Sequence, residues 1–193
     1  MSMRIISWEE YLYVGSGEWG VGSGEYTPLA VTVGVFDGIH RGHQALIRKV
    51  CSSPHTPTVV TFRQNPQGVL KPDAFTGDIM TLEQKLRALE VLGVQLTVLI
   101  DFSEEFSKIN GRGFIDLLLN RPVQLIALGR NFRCGYRLDT GAEEIRSLAG
   151  ARGAEVWVAP PVMDEGQPVS SSRIRQALAA GRQAEAERLL NRR

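Results

Sequence analysis

The run GVFDGIHRGHQALI (34–47) gathers the side chains with the most specific chemistry in this chain: Gly34, Phe36, Asp37, Gly38, His40, Gly42 and His43. It follows the apolar stretch LAVTV (29–33) and leads into helix-forming residues, which makes it a strand-to-helix turn. Glycines at such a turn let the backbone approach a phosphate, and the free N–H groups of the following helix favour an anion. His40 and His43 are three apart, so on a first helical turn they share a face and can donate ring N–H bonds to phosphate oxygens. The same two residues could instead cap or pack the helix start. A metal pair is the weaker alternative, since no third ligand stands at a sensible local spacing.

Two further clusters carry comparable chemistry. In ALGRNFRCGYRLDTG (127–141), Arg130, Arg133 and Arg137 can meet a phosphate bidentately, while Phe132 or Tyr136 can lie against an aromatic ring; a surface loop with chance arginines is the plainer reading. In PVSSSRIRQALAA (168–180), Ser170, Ser171 and Ser172 stand at a helix start with Arg175 one turn further on. One serine suffices as an N-cap, so three in a row exceed what capping needs.

These clusters need elements to hold them. Short apolar runs at 29–33, 58–62, 96–100, 124–129 and 154–159 are strand-length and nearly continuous, as strands buried on both faces require. Helix signals lie between them. Thr81 and Gln84 have capping-box spacing ahead of Leu82, Leu86 and Leu89, with Gly93 as a stop; Thr140 and Glu143 repeat that start signal; two short helices close the chain around Gly181. Repeated β-α units predict an α/β fold, a Rossmann-like doubly wound parallel sheet. Residues 15–24 contain G-x-G-x-x-G at Gly15, Gly17 and Gly20, but the stretch leads through Pro28 into a strand instead of opening a helix, so it reads as a flexible turn. Residues 1–28 are therefore expected to be an N-terminal extension, and 29–193 the domain.

The length of 193 residues suits one domain, and 43% hydrophobic with 22% charged residues is ordinary globular composition. A formal net charge of +1 removes bulk charge as a reason to bind nucleic acid or an anionic membrane. Cys51 and Cys134 lie far apart without zinc spacing, which suits reduced thiols. The N-terminus lacks a signal-peptide core and no apolar run reaches about 18 residues, so a cytoplasmic protein is expected.

The stretch around the histidines resembles the nucleotidylyltransferase superfamily, whose His-x-Gly-His signature holds nucleotide phosphates. VTVGVFDGIHRGHQALI resembles more closely the FMN adenylyltransferase (FAD synthetase) module of the prokaryotic bifunctional riboflavin kinase/FMN adenylyltransferases. TFRQNPQGVLKPD (61–73) matches that family at Phe62 and Pro66, with Asn65 in place of a His as a neutral donor, and departs from it at Arg63 and Gln64. GRNFRCG (129–135) retains Gly129, Phe132, Arg133 and Gly135, with Asn131 for the commoner Asp and Cys134 for Phe. SSSRIR (170–175) matches at Ser170, Ser171, Ser172 and Arg175, while Pro168 stands where some relatives carry a basic residue, which Arg173 could replace.

The resemblance implies transfer of an adenylyl group from ATP to FMN, giving FAD and pyrophosphate, with Mg2+ coordinated mainly by phosphate and water. It assigns catalysis to His40, His43, Asn65, Ser171 and Arg175. It assigns ATP to Gly34, Phe36, Asp37, Gly42, Gly129, Arg130, Ser170, Ser172 and Arg173, and the flavin to Phe62, Arg63, Asn131, Phe132, Arg133 and Tyr136. Arg130, Arg133, Arg137, Arg173 and Arg175 would form one cationic pocket. The rival readings are a nucleotidylyltransferase acting on pantetheine phosphate, nicotinamide mononucleotide or a cytidylyl acceptor, and a catalytically weak flavin-binding module. Because the chain ends at LLNRR, no riboflavin kinase domain is expected, and a separate riboflavin kinase would supply FMN.

Overall fold

A computed structural model describes residues 2–13 and 27–191. The five apolar runs are strands β2 (Leu29–Val33), β3 (Thr56–Phe62), β4 (Leu96–Ile100), β5 (Val123–Gly129) and β8 (Glu155–Ala159). They pair in parallel with β1 (Arg4–Ser7) in a six-stranded sheet of order β1-β4-β3-β2-β5-β8. Alternate residues of these strands feed two cores. Val31, Val33, Val60, Val98, Ile126 and Leu128 pack on one face with α1 (Trp8–Tyr13), α5 (Gly111–Leu118) and α6 (Ala142–Gly150). Ala30, Val59, Leu125 and Ala127 pack on the other with α2 (Arg41–Cys51) and α4 (Leu82–Val91). Burial on both faces is why each run is apolar throughout.

The remaining elements sit at the carboxyl ends of the strands. The short helix α3 (Pro66–Leu70) follows β3; β6 (Arg133–Cys134) and β7 (Thr140–Gly141) form a small antiparallel ribbon after β5. After β8, β9 (Met163–Asp164) and β10 (Gln167–Pro168) make a hairpin that leads into α7 (Ser171–Ala179) and α8 (Gln183–Leu190). These two helices share a third core of Val169, Ile174, Ala177, Ala186 and Leu189. From β2 the chain winds outward to β3 and β4, then returns to β5 on the other flank of β2. The crevice outside the ends of β2 and β5 is therefore the topological switch point, where ligands bind in such sheets.

Two expectations need correction. The segment read as an extension, 1–28, contributes β1 and α1 to the sheet and core: Ile6, Trp8 and Tyr11 are buried, and the Tyr11 hydroxyl donates to the Leu118 carbonyl at 2.7 Å. Its glycine-rich part, 15–24, lies outside the described residues. Thr140 does not cap α6; it is a buried residue of β7, and Gly141 takes the N-cap position without a side-chain bond. The Thr81–Gln84 capping box is formed as expected.

Candidate active site

The turn after β2 has an unusual backbone. Phe36 (φ +52°) and Ile39 (φ +41°) both sit in the left-handed region, each a conformation that costs on the order of 1–3 kcal/mol for a residue with a Cβ. Burial of both side chains and a dense set of hydrogen bonds to the turn hold it in place. His40 caps α2: its Nδ1 accepts the His43 N–H at 3.3 Å, which leaves the ring proton on Nε2. The two imidazoles stack with centroids 3.7 Å apart, and His43 meets the Phe36 ring edge-on at 5.1 Å. A Cβ at Gly42 would lie 3.1 Å from the His40 ring, so the ring would have to give by a few tenths of an ångström. Burial lowers the His40 pKa to about 4, and burial, His40 and Lys85 hold His43 well below the usual histidine value. Both rings are neutral donors at neutral pH, and His43 Nδ1 is buried without a hydrogen-bond partner among the described residues.

Asp37 ties this turn to two other segments. Its Oδ1 accepts the N–H groups of Ile79 (2.8 Å) and Met80 (3.3 Å), and its Oδ2 pairs with Arg175 Nη2 at 2.5 Å. Arg175 Nε donates to the Gly77 carbonyl, and the Ser171 hydroxyl donates to the Asp37 carbonyl. Asp37 is 2% exposed, and burial raises its carboxyl pKa against the pull of the two amides and Arg175. Asn65 does similar work beside it. Its Oδ1 caps α3 by accepting the Gln67 N–H, and its Nδ2 donates to Asp78 at 2.9 Å. Beneath the turn, the buried Lys85 Nζ donates to the carbonyls of Val35 (3.0 Å) and Phe62 (3.1 Å).

Two hollows open at the strand ends. A cavity of about 560 Å³ is lined by Val33, Gly34 and Val35 of the turn, by Phe62, Phe102, Phe106 and Phe132, and by Asn131, Arg133, Cys134 and Tyr136. Its wall is mainly aromatic, with Phe62 and Phe102 packed edge to face at 5.6 Å. The second, about 710 Å³, lies beyond β5 and β8 and is lined by Arg130, Arg133, Arg146, Glu143, Glu144, Ala159 and Pro160. Arg133 borders both. Its Nε donates to the Leu138 carbonyl at 2.7 Å, bracing the turn of the β6–β7 ribbon. That turn docks on α5: Tyr136 N–H donates to Ile109 O, and Asp139 accepts the Gly111 N–H. Gly135 has φ +84°, and any Cβ there would overlap the Gly111 backbone nitrogen. Burial pushes the Cys134 thiol up to about 12, so it lines the cavity as an inert, protonated group.

The structure thus gathers Gly34, Phe36, Asp37, His40, Gly42, His43, Asn65, Ser171 and Arg175 around one turn, and Phe62, Asn131, Phe132, Arg133 and Tyr136 around one cavity. Gly129 ends β5 beside Arg130. Ser170 is the N-cap of α7, accepting the Arg173 N–H, and Ser172 is exposed on its first turn. Two of the expected site residues make ion pairs elsewhere. Arg63 is not among the residues that line the cavity and pairs with Asp101 at the surface (3.1 Å). Arg173 is consumed by Asp164 (3.0 Å) and Glu185 (2.9 Å), so its charge is spent in joining α7 to β9 and α8. The five arginines do not form one cationic pocket: Arg173 and Arg175 pair with carboxylates, whereas Arg133 and Arg137 line the aromatic cavity and Arg130 and Arg133 the second hollow.

Several residues were missed. Phe102 and Phe106 lie in the segment 101–110, which has no periodicity to place it. Lys85 had a signal: it falls at i+3 from Leu82 on the face shared with Leu86 and Leu89, where a solvated lysine is out of place.

Comparison with known proteins gives three findings. Residues 24–173 match the family described as FAD synthetase. The bifunctional riboflavin kinase/FMN adenylyltransferase of Escherichia coli K12 is 30% identical over 83% of this chain, and the FAD synthetase of Listeria monocytogenes 27% over 83%. The chain spans 53% of the length of the former and 67% of the latter. Among solved structures, one named as a macrolide-efflux protein from Streptococcus pneumoniae aligns with 98% of this chain and 62% of its own (TM-score 0.78, 29% identity). The pantoate-beta-alanine ligase of Francisella tularensis, at 16% identity and TM-score 0.62 over 90% of this chain and 73% of its own, shares the fold.

Proposed function

The chain belongs to the FAD synthetase family, and from that premise we propose that it transfers the adenylyl group of ATP to FMN, forming FAD and pyrophosphate. One observation carries the reading: an aromatic cavity suited to a flat heterocycle lies at the switch point and shares Arg133 with a polar cleft beyond β5 and β8. FMN would place its ring system among Phe62, Phe102 and Phe132, and ATP would lie towards Arg130 and the β5 and β8 ends.

In this reaction an oxygen of the FMN phosphate attacks the α-phosphorus, the bond to the β-phosphate breaks, and pyrophosphate leaves. No protein nucleophile is required. The work assigned to the chain is alignment and stabilisation of charge. His40 and His43 would donate neutral N–H bonds to the phosphates beside the α2 N-terminus. Ser172 would receive the β and γ end, Arg175 would hold α7 to the turn through Asp37, and Asn65, already fixed by Asp78, would orient the reacting phosphates. ATP is taken to enter as its magnesium complex, the ion held mainly by phosphate and water.

The test is to incubate the purified protein with MgATP and FMN, then with pantetheine phosphate or nicotinamide mononucleotide, and to measure FAD and pyrophosphate. FAD and pyrophosphate in equal amounts is the expected result. Reaction with another acceptor but not FMN, or flavin binding without turnover, would overturn it.

A further inference from the structure

Positive charge at the phosphate turn does not come from the side chains that stand out in the sequence. Both histidines are neutral, Arg175 is paired with Asp37, and Arg173 with Asp164 and Glu185. Lys85 differs from them. It is 7% exposed, and its Nζ lies 3.0 Å from Val35 O, 3.1 Å from Phe62 O and 3.5 Å from Thr61 Oγ1. Three acceptors around one nitrogen match the three donors of an ammonium, whereas a neutral amine could satisfy only two. Among the described residues no carboxylate touches it; burial lowers its pKa, and Asp37 and Asp78 oppose that from further away. An ammonium held in the interior by neutral oxygens is costly to bury, and an apolar side chain of similar length would fill the space without that cost.

Its acceptors lie where the site begins. Val35 immediately precedes Phe36 and Asp37, and Phe62 is the last residue of β3, just ahead of Asn65. We propose that Lys85 is a positioning residue for adenylyl transfer: it clamps the ends of β2 and β3 and sets a standing positive charge behind the turn that receives the phosphates. The strand-end carbonyls point their negative ends at Lys85, not at the incoming anion. The charge is in place before substrate arrives, so no reorganisation is needed as the phosphoryl group gains charge. Lys85 need not touch substrate to do this.

The inference rests on the adenylyl-transfer reading, so wild-type FAD formation is measured beside the variants. Lys85→Gln keeps a neutral donor for the carbonyls, and Lys85→Arg keeps the charge. Glutamine should lower kcat at least about ten-fold, the scale of a lost charge-stabilising group, with the Kd for FMN changed less than about three-fold. Arginine, which keeps the charge on a larger and differently shaped head group, should retain clearly more of kcat than glutamine. Wild-type turnover with an unchanged kcat in Lys85→Gln, an equal fall in both variants, or loss of folding in both would overturn the inference while leaving the reaction intact. No FAD from the wild type would remove the reaction and the inference with it.

Discussion

Asp37→Asn keeps the outline of a buried side chain while removing its charge, and the contacts around it set the cost. The carboxylate holds the Ile79 and Met80 amides on one oxygen and Arg175 on the other. An asparagine oxygen can still accept the amides, but its NH2 would face the guanidinium, donor against donor. Breaking one side of a buried pair costs about 3–5 kcal/mol, and the retained amide bonds put this variant at the lower end. For a chain of this size about 3 kcal/mol corresponds to a fall in Tm of roughly 6–12 °C. Calorimetry of wild type, Asp37→Asn, Arg175→Met and the double variant would measure it. The two single effects should fail to add by more than about 0.5 kcal/mol, since contacting partners couple. A Tm within about 2 °C of wild type, or additivity in the cycle, would refute the view that this pair pins α7 to the phosphate turn.

Other outcomes follow from the same geometry. The His40 pKa is depressed from 6.5 to about 4 in the folded chain, so its neutral form stabilises the fold above 6.5 and that contribution is lost as pH falls towards 4. The loss is about 3 kcal/mol over that window; His40→Asn, which can still cap α2, should show a flatter Tm between pH 6.5 and 4. Gly135→Ala should weaken FMN binding at least about ten-fold in a fluorescence titration, because the clash with Gly111 and the positive φ displace the ribbon that walls the cavity. Arg130→Ala should raise the KM for ATP about ten-fold and leave the FMN Kd unchanged, as expected for a lost charge-assisted contact in the polar cleft alone.

The strands were legible because burial on both faces writes itself as unbroken apolar runs, and the switch point followed from their order. The phosphate turn was legible because glycine, histidine and strand end coincide within a few residues. What could not be read is long-range. Nothing near Arg173 in sequence shows that Asp164 and Glu185 will neutralise it, and nothing near Arg63 shows that Asp101 will draw it to the surface. Arg4–Ser7 is too short to announce itself as a strand; its place is fixed by β4, about ninety residues later. Lys85 was readable by periodicity, yet only the fold shows which carbonyls it meets.

The aromatic packing at the start of the chain has a practical consequence. Trp8 stacks on Tyr11 (5.3 Å) and Phe114 (5.5 Å) and meets Phe106 edge-on at 6.3 Å. Phe106 and Phe114 are also wall residues of the 560 Å³ cavity. The family match begins at residue 24, so a fragment cut there for expression would lose β1 and α1. Leu96, Val98 and Ile100 of β4 would then lie on an open sheet edge, a template for self-association. The same cut would strip the backing from the cavity wall, so a boundary drawn from sequence similarity alone would yield a sticky protein with a slack flavin pocket.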